Sequence, residues 1–185
     1  MAQEAPDALV KRVTAEVMQI ARTDREIQAG SRQRIHALVE SKIVPHIDFE
    51  RATSLAAGHH WRAATPEQRR LLTREFRTLL MYTYAGAMSQ ISDQTLQFKP
   101  LRAEPGDTDV EVRSRVVLPR RANPVEVSYR LSKETSGWKI YDVNVLGVWL
   151  SETYKASFAS EIERGGMDGL IATLTRKNLD LAARQ

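Results

Sequence analysis

The sequence contains no cysteine, which excludes several kinds of chemistry at once. Without thiols the chain can form no disulfide, no thiolate metal site and no cysteine nucleophile. The absence does not distinguish the cytosol from the periplasm, because cysteine-free proteins occur in both. The chain also lacks any long apolar run, and its mean hydropathy of −0.39 predicts that it forms no membrane-spanning helix.

Motifs for enzymatic chemistry are missing as well. There is no glycine-rich phosphate loop, no dinucleotide fingerprint and no nucleophile elbow. The adjacent His59 and His60 point about 100° apart on a regular helix, so they do not form the same-face pair of a helical zinc site. We therefore expect neither a metal site nor catalytic residues.

The formal net charge of +4 permits an anionic partner but selects none. Four arginines, Arg69, Arg70, Arg74 and Arg77, follow one another on a predicted helix. Three interpretations remain open for them: a solvated helix face, a phosphate-binding patch, or a docking face for an acidic protein. The solvated face is favoured, because no nucleic-acid motif and no aromatic interleaving accompany the arginines. We expect no nucleic-acid partner.

The first half of the chain has helical periodicity. Apolar residues recur at three- and four-residue spacing from Leu9 to Ile20 and again from Ile35 to Ile43, with Gly30 between the two segments. The run Thr65-Pro66-Glu67-Gln68 is a capping box with proline in the first turn. It predicts a long helix from Pro66 to about Ile91.

The second half changes to a two-residue period. Valines alternate with charged residues from Val110 to Val116 and from Val125 to Leu131, which is typical of antiparallel strands with one buried face. The segment from Trp138 to Leu146 is apolar on both faces. Turn signals separate these strands at Pro105-Gly106, Asn123-Pro124 and Ser136-Gly137.

After Gly147 the pattern returns to helix, with a break at Gly165-Gly166 and a final helix that Asp168 can cap. The predicted fold class is α+β: a helical lobe packed on a curved antiparallel sheet of about four strands, a cone with an internal hydrophobic cavity. Periodicity alone does not distinguish a filled core from a lined cavity. We expect one domain over residues 1–185, mainly helical over 6–93, a sheet over 94–150 and helical over 151–185.

Short motifs in a characteristic order make the chain resemble a known family. The motifs are Pro45-His46-Ile47-Asp48-Phe49, Ala57-Gly58-His59-His60-Trp61, Ala64-Thr65-Pro66-Glu67-Gln68-Arg69, Phe76-Arg77, Tyr84-Ala85-Gly86-Ala87, Tyr141-Asp142-Val143, Gly147-Val148 and Gly166-Met167-Asp168-Gly169-Leu170. Together they resemble the MlaC family, also called the toluene-tolerance auxiliary family, from about Pro6 to about Asn178. Each motif is short, and the specificity lies in their order and spacing.

The resemblance implies a function that the residues alone did not indicate. Members of the family are periplasmic, non-enzymatic phospholipid carriers with a nuclear-transport-factor-like cone fold. They serve as auxiliary components of an ABC transporter and support solvent resistance. The implied role is to shuttle lipid between an outer-membrane lipoprotein–porin complex and an inner-membrane ABC transporter with its substrate-binding subunit, which maintains outer-membrane lipid asymmetry. We expect a monomer with no cofactor other than the phospholipid it carries.

The N-terminus is consistent with this compartment. It reads Met1-Ala2-Gln3-Glu4-Ala5-Pro6 and has neither the basic nor the apolar region of a signal peptide. These residues look like a mature secreted terminus with a start methionine added, and the resemblance implies that a signal peptide has been removed.

If the family function applies, acyl chains should lie between the long helix and the inner face of the sheet. In the last strand, Tyr141, Val143 and Val145 are preferred over Ile140 and Asp142, because the preferred set contains no carboxylate. A slip of one residue would exchange the faces of that strand. The predicted lipid-binding residues are Leu72, Phe76, Leu80, Tyr84, Val112, Val116, Val125, Val127, Tyr129, Tyr141, Val143, Val145, Val148, Leu150, Tyr154 and Phe158.

Two other functions remain open. The first is an enzyme of the same cone fold that acts on a hydrophobic substrate with Asp142 as its base, which would need a polar constellation inside the cavity. The second is an adaptor that binds only proteins or nucleic acid through its arginine faces, which a fully packed core would favour.

Overall fold

The computed structural model describes residues 3–184, so the Met1-Ala2 start lies outside the described residues. Contacts divide the chain into two compact units. The first unit comprises Met1–Asp48 and Ala87–Leu150, and the second comprises Phe49–Gly86 and Ser151–Gln185. No helix within residues 3–184 is both long and apolar enough to cross a membrane.

The described residues form helices first, then a sheet, then a final helix, which confirms the α+β class. The helices are α1 (Pro6–Thr23), α2 (Arg25–Gln28), α3 (Arg32–Lys42), α4 (Phe49–Ala57), α5 (His60–Ala63), α6 (Pro66–Tyr84) and α7 (Leu150–Ala183), with 3₁₀ helices at Val44–His46 and Ala85–Gln90. The strands are β1 (Thr95–Phe98), β2 (Asp109–Val117), β3 (Val125–Glu134), β4 (Gly137–Val145) and β5 (Val148–Trp149).

The sheet is open and wholly antiparallel, with its five strands in sequence order. It has one strand more than expected, because β5 pairs with the end of β4 through a hairpin and is only two residues long. Such a short strand has too few residues to show alternation, and for this reason the pattern did not reveal it.

Strand register separates the two faces of the sheet. Val112 pairs with Tyr129, and Tyr129 pairs with Val143. Residues that pair directly share one face, so the valines of three strands form one surface, here called the apolar face. The opposite face, here called the polar face, carries the alternate residues, including Arg113 and Ser128.

Helix α1 packs against β2 within the first unit. Its apolar stripe includes Val10, Val13 and Val17, all buried, as are Val110 and Val112 of β2. This burial explains the helical period in one segment and the two-residue period in the other. Each element buries a single face, at the spacing that its own geometry sets.

Polar contacts hold the connecting segments of the first unit to the sheet and to α1. The Lys139 ammonium donates to the Pro45 carbonyl at 2.7 Å, and the Asp48 amide donates to the Ile140 carbonyl at 2.8 Å. The Arg22 guanidinium, at the end of α1, donates to the Ser92 carbonyl at 2.5 Å. These contacts join residues far apart in the sequence, so short motifs could not have predicted them.

In the second unit, the capping box forms as the sequence predicted. The Thr65 hydroxyl accepts from the Gln68 amide at 3.1 Å, and the Gln68 side chain accepts from the Thr65 amide at 2.9 Å. The predicted end of α6 near Ile91 was wrong. The helix ends at Tyr84, and the chain continues as the 3₁₀ helix, where Gly86 weakens the α-helical preference.

Helix α7 contains the break that the double glycine predicted. Gly166 has φ 70° and ψ −174°, a conformation that interrupts the helix and favours a residue without a side chain. Beyond the break, the Asp168 carboxylate accepts a hydrogen bond from the Gln68 side chain at 3.0 Å. This contact joins the second half of α7 to the first turn of α6.

The capping box yields a stability prediction. Thr65→Ala removes the side-chain acceptor for the Gln68 amide and should cost about 1 kcal/mol of unfolding free energy. Urea unfolding measures the change. Ser160→Ala, at an exposed position in the middle of α7, is the control and should shift the midpoint little. Equal shifts in both variants would show that the box does not stabilise α6.

Candidate functional site

The apolar face of the sheet becomes less buried along its length. Val112 and Leu131 are fully buried at one end. Toward the other end Val127 and Val143 are half-buried, and Val145 is 46% exposed. Because all of these side chains share one face, the sheet presents a continuous aliphatic surface whose far end is accessible.

This accessible end contains most of the strand residues predicted to bind lipid. Val116 pairs with Val125, and both are half-buried. Ser114 is a polar residue on the same face, but its hydroxyl donates to the Val127 carbonyl at 2.9 Å and is therefore satisfied within the sheet. The surface consequently offers methyl groups and few free polar atoms, which suits a hydrocarbon ligand.

Tyr129 lies in the middle of the apolar face, between Val112 and Val143. Burial raises the pKa of its hydroxyl above the ordinary value, because the aliphatic surroundings disfavour the charged phenolate. The hydroxyl stays neutral at physiological pH and adds a hydrogen-bonding group to an otherwise hydrocarbon surface.

Tyr141 does not lie where the alternation placed it. Arg130 pairs with Asp142, but the next residue, Leu131, pairs with Ile140, so β4 contains one extra residue at Tyr141. The bulge leaves Asp142 on the polar face, and the Tyr141 hydroxyl donates to the Asp109 carboxylate at 2.6 Å. The grouping of Tyr141 with Val143 and Val145 was therefore wrong, since a bulge changes the facing within a strand.

The same bulge places Ile140 on the apolar face, although the sequence analysis had preferred other residues of the strand. Ile140 pairs with Leu131 and so shares the apolar face with Val143. Both alternatives for the strand are thus partly correct: Ile140 before the bulge, and Val143 with Val145 after it. A change of period inside Trp138–Leu146 was the available signal, and it appeared in the sequence only as a segment that is apolar on both faces.

The helical residues of the predicted set lie in the second unit, except Leu150, the first residue of α7, which is half-buried in the first unit. Leu72, Phe76 and Phe158 are exposed by at most 1% and pack in the core that this unit forms for itself. Leu80 and Tyr154 are half-buried against that core, and Tyr84 is 46% exposed. Leu72, Phe76 and Phe158 therefore pack within this unit, and their contact with lipid stays a prediction.

Three aromatic residues of this unit, Phe76, Tyr154 and Phe158, form one cluster. The Phe76 ring meets the rings of Tyr154 and Phe158 edge-on, with centroids 5.1 Å and 5.3 Å away. Edge-to-face contact places the positive ring edge against the negative ring face and is favourable. The hydroxyls of Tyr154 and Tyr84 lie 3.3 Å apart, so the polar end of the cluster is at its exposed side.

The second unit contains a buried polar pair that the sequence did not indicate. The Asn178 amide donates to the Glu75 carbonyl at 2.9 Å and to its carboxylate at 3.1 Å, and both side chains are buried. The pair joins α6 to the end of α7. Because its members are a hundred positions apart, no local pattern connects them.

The arginines of α6 are occupied by local contacts. Arg69 lies over the Trp61 ring at 5.3 Å, and Arg77 lies over the Phe49 ring at 5.4 Å. The Arg70 guanidinium bonds to the Glu67 carboxylate at 2.6 Å. These contacts favour the interpretation of a solvated helix face over a phosphate-binding patch.

The adjacent histidines His59 and His60 lie against each other. The centroids of the His59 and His60 rings lie 4.0 Å apart, and Gly58 with φ 62° interrupts the helix just before them. Within residues 3–184 no group of three or more histidine, aspartate and glutamate side chains could hold a metal ion.

Comparison with known proteins identifies a family whose members are similar to this chain. The model of the MlaC protein family matches residues 11–176. Two curated proteins are similar: the intermembrane phospholipid transport system binding protein MlaC of Haemophilus influenzae, 24% identical over 143 residues, and the toluene tolerance protein Ttg2D of Pseudomonas putida, 23% identical over 172 residues. These alignments cover 76% and 91% of this chain, and 66% and 78% of the relatives.

A solved structure is similar over almost the whole chain. It is the phospholipid-binding protein from Ralstonia solanacearum in complex with a phospholipid. The two chains share 43% sequence identity and superpose with a TM-score of 0.88, covering 97% of this chain and 99% of that one.

The tyrosine environments yield a pH prediction. Burial and the Tyr84 hydroxyl raise the pKa of Tyr154, and burial raises that of Tyr129. Both groups should stay protonated in the folded protein at pH values where an unfolded tyrosine, with a pKa of about 10, ionises. Folding stability should therefore fall as the pH rises above that value, because only the unfolded state releases these protons.

Absorbance of tyrosinate during alkaline titration measures this effect. Tyr154→Phe should remove part of the signal that appears only on unfolding and leave the early signal unchanged. Loss of early signal in this variant would show that Tyr154 ionises freely in the folded protein.

Proposed function

Because the chain belongs to the MlaC family, we propose that it is a phospholipid-binding carrier whose acyl chains contact the accessible end of the apolar sheet face. The observation that supports the proposal most directly is the phospholipid-bound relative, whose chain matches this one over nearly its full length at 43% identity. The sheet supplies the physical basis, since half-buried valines on three neighbouring strands offer a hydrocarbon surface.

The energetics of lipid transfer explain why such a protein is needed. Each methylene buried away from water stabilises by about 0.8 kcal/mol, so a lipid with ~30 methylenes would lose about 24 kcal/mol on entering water. A free phospholipid therefore crosses an aqueous gap very slowly. A carrier has only to replace membrane hydrocarbon with an aliphatic surface, and this requires no catalytic group.

The names of the relatives support a role in phospholipid transport between membranes. A phospholipid transport system binding protein and a toluene tolerance protein both match most of this chain. We propose that the chain acts in the periplasm and carries phospholipid between an outer-membrane lipoprotein–porin complex and an inner-membrane ABC transporter with its substrate-binding subunit, the role that resemblance to the MlaC family implies. In this role it maintains outer-membrane lipid asymmetry and requires no cofactor.

The position of Asp142 supports a carrier over an enzyme. An enzyme of this fold with Asp142 as its base would need the carboxylate on the apolar face, next to a hydrophobic substrate. The strand register instead places Asp142 opposite Arg130 on the polar face, and its carboxylate accepts from the Val143 amide at 3.0 Å. The carboxylate is thus directed away from the surface on which the substrate would lie.

Bound lipid is the first expected outcome. Protein purified from a bacterial host without detergent should carry phospholipid in stoichiometric amount, because the apolar face would otherwise expose its valines to water. Organic extraction followed by mass spectrometry measures it. Protein that yields no stoichiometric phospholipid would contradict the carrier function.

Larger side chains on the apolar face provide a second test of the proposal. Val127→Trp and Val143→Trp place an indole at half-buried positions on the proposed acyl surface and should lower the amount of bound phospholipid while the protein stays folded. If these side chains instead lay in a solid core, the larger residue would cost about 1–3 kcal/mol of stability without changing lipid content. Lipid content and thermal midpoint, measured on the same samples, separate the two results.

A matched control is available on the other face. Val117 is also half-buried and lies near the same end of the sheet, but it pairs with Thr95 on the polar face. Val117→Trp should leave the lipid content unchanged. If lipid content stays constant in all three variants while the midpoints fall at positions 127 and 143, the acyl chains bind elsewhere.

A further inference from the structure

The hairpin between β4 and β5 ends in an exposed apolar turn. Val145 pairs with Val148, and only Leu146 and Gly147 connect them. The three large side chains, here called the β4–β5 tip, are 46%, 67% and 55% exposed for Val145, Leu146 and Val148. Adjacent exposed aliphatic side chains of this kind are uncommon on a protein surface unless they serve an interaction.

The backbone of this turn makes the leucine more unusual. Leu146 has φ 53° and Gly147 has φ 87°, so both central residues have the positive φ that a type I′ turn requires. Leu146 is the one non-glycine residue with positive φ within residues 3–184. Asparagine, aspartate or glycine would fit this position better, both in conformation and in contact with water.

The turn is nevertheless held firmly in place. The Leu146 amide donates to the Glu126 carbonyl of β3 at 3.1 Å, and the Gly147 amide donates to the Asn144 side chain at 2.9 Å. An apolar side chain is thus held on an ordered turn, in a backbone region where leucine is disfavoured, and directed at solvent. Strain of this kind is typical of functional positions.

Basic residues lie at the same end of the sheet. The antiparallel register brings the loop between β2 and β3 to the end that carries the β4–β5 tip, at a distance of about two strand spacings, ~10 Å. This loop contains Arg120 and Arg121, both exposed, and neither guanidinium has an ion-pair partner within residues 3–184. Two acidic residues lie close to this loop: Asp93, whose carboxylate accepts from the Ser92 hydroxyl at 3.1 Å, and Glu126, whose carboxylate pairs with Lys99 and Arg115.

An aromatic residue completes the arrangement. Trp149 follows the tip directly, and the Arg130 guanidinium lies 3.9 Å from the centre of its ring. Tryptophan and arginine both combine an apolar body with a polar group and are favoured where hydrocarbon meets water. Aliphatic tip, stacked tryptophan and unpaired arginines thus occur together at one end of the sheet.

We propose that this end of the sheet docks transiently on the surface of an anionic phospholipid bilayer, with Leu146 entering the interface and Arg120 and Arg121 contacting the phosphates. The tip is too small for a stable protein–protein contact, which buries about 800 Å² on each partner. A bilayer needs no complementary shape, because shallow insertion of a few aliphatic groups and attraction of cations to anionic lipid are sufficient. Docking goes beyond carrying lipid, since it concerns the membrane surface rather than the cargo.

The test uses the full chain and vesicles of two compositions. Mixed phosphatidylethanolamine and phosphatidylglycerol vesicles are anionic, and vesicles of phosphatidylcholine alone are neutral. Cosedimentation should show binding to the anionic vesicles that weakens as salt is added, and much weaker binding to the neutral ones. Absence of binding to the anionic vesicles overturns the proposal and favours an acidic protein as the partner.

Leu146→Asn is the decisive variant, because asparagine suits the positive φ and removes the apolar side chain. It should bind anionic vesicles about tenfold more weakly, the loss expected when one leucine no longer leaves water. Leu179→Asn is the matched control, since Leu179 is 66% exposed on α7 in the other unit. Equal binding by Leu146→Asn and the parent, or an equal loss in both variants, overturns the role of the tip.

The arginines are tested separately. Arg120→Gln and Arg121→Gln should each weaken binding to anionic vesicles by about fivefold and reduce its dependence on salt. If the variant that combines Arg120→Gln and Arg121→Gln binds anionic vesicles as well as the parent does, the two arginines do not contribute to docking. Phospholipid extracted from each variant is measured in parallel and should be unchanged. If the carrier function were wrong, the extracts of the parent and of every variant would contain no phospholipid. That result does not depend on vesicle binding, so the two proposals fail separately.

Discussion

The pairing of β2, β3 and β4 is the constraint on which the first unit depends. Direct partners share a face, so the register that joins Val112 to Tyr129 and Tyr129 to Val143 collects the valines on one side. A shift of one residue would place arginines where the valines now lie. The burial of α1 against β2, the accessible aliphatic surface and the polar opposite face all follow from this register.

The second unit depends on a different kind of contact. Its core contains the edge-to-face packing of Phe76 against Tyr154 and Phe158, and the two long helices are joined by the buried pair of Glu75 and Asn178. Each helix contributes only one stripe to this core. The break at Gly166 allows α7 to continue in a new direction after supplying the aromatic residues.

Most charged side chains of the sheet lie away from the apolar face, and the serine on that face has a hydrogen-bond partner. Asp142 and Arg130 are opposite each other in the strand register on the polar face, Lys99 bonds to Glu126 at 3.0 Å, and Ser114 is satisfied by the Val127 carbonyl. Burying an unpaired polar group costs several kcal/mol in the absence of a partner, about 2–7 kcal/mol in transfer experiments. A surface that must exchange hydrocarbon repeatedly functions best without such groups, and this agrees with the missing catalytic motifs.

Much of this protein could be read from the sequence alone, because the deciding interactions are local. The Thr65 capping box, the alternation in β2 and β3 and the break at Gly166 each depend on residues within a few positions, and the ordered motifs indicated the family. Tertiary structure decided the rest. The facing of Tyr141 depends on how β4 pairs with β3, since a bulge is a property of two strands together. Whether Phe76 fills a core or lines a surface depends on Tyr154 and Phe158, which lie far along the chain and whose approach no local pattern encodes.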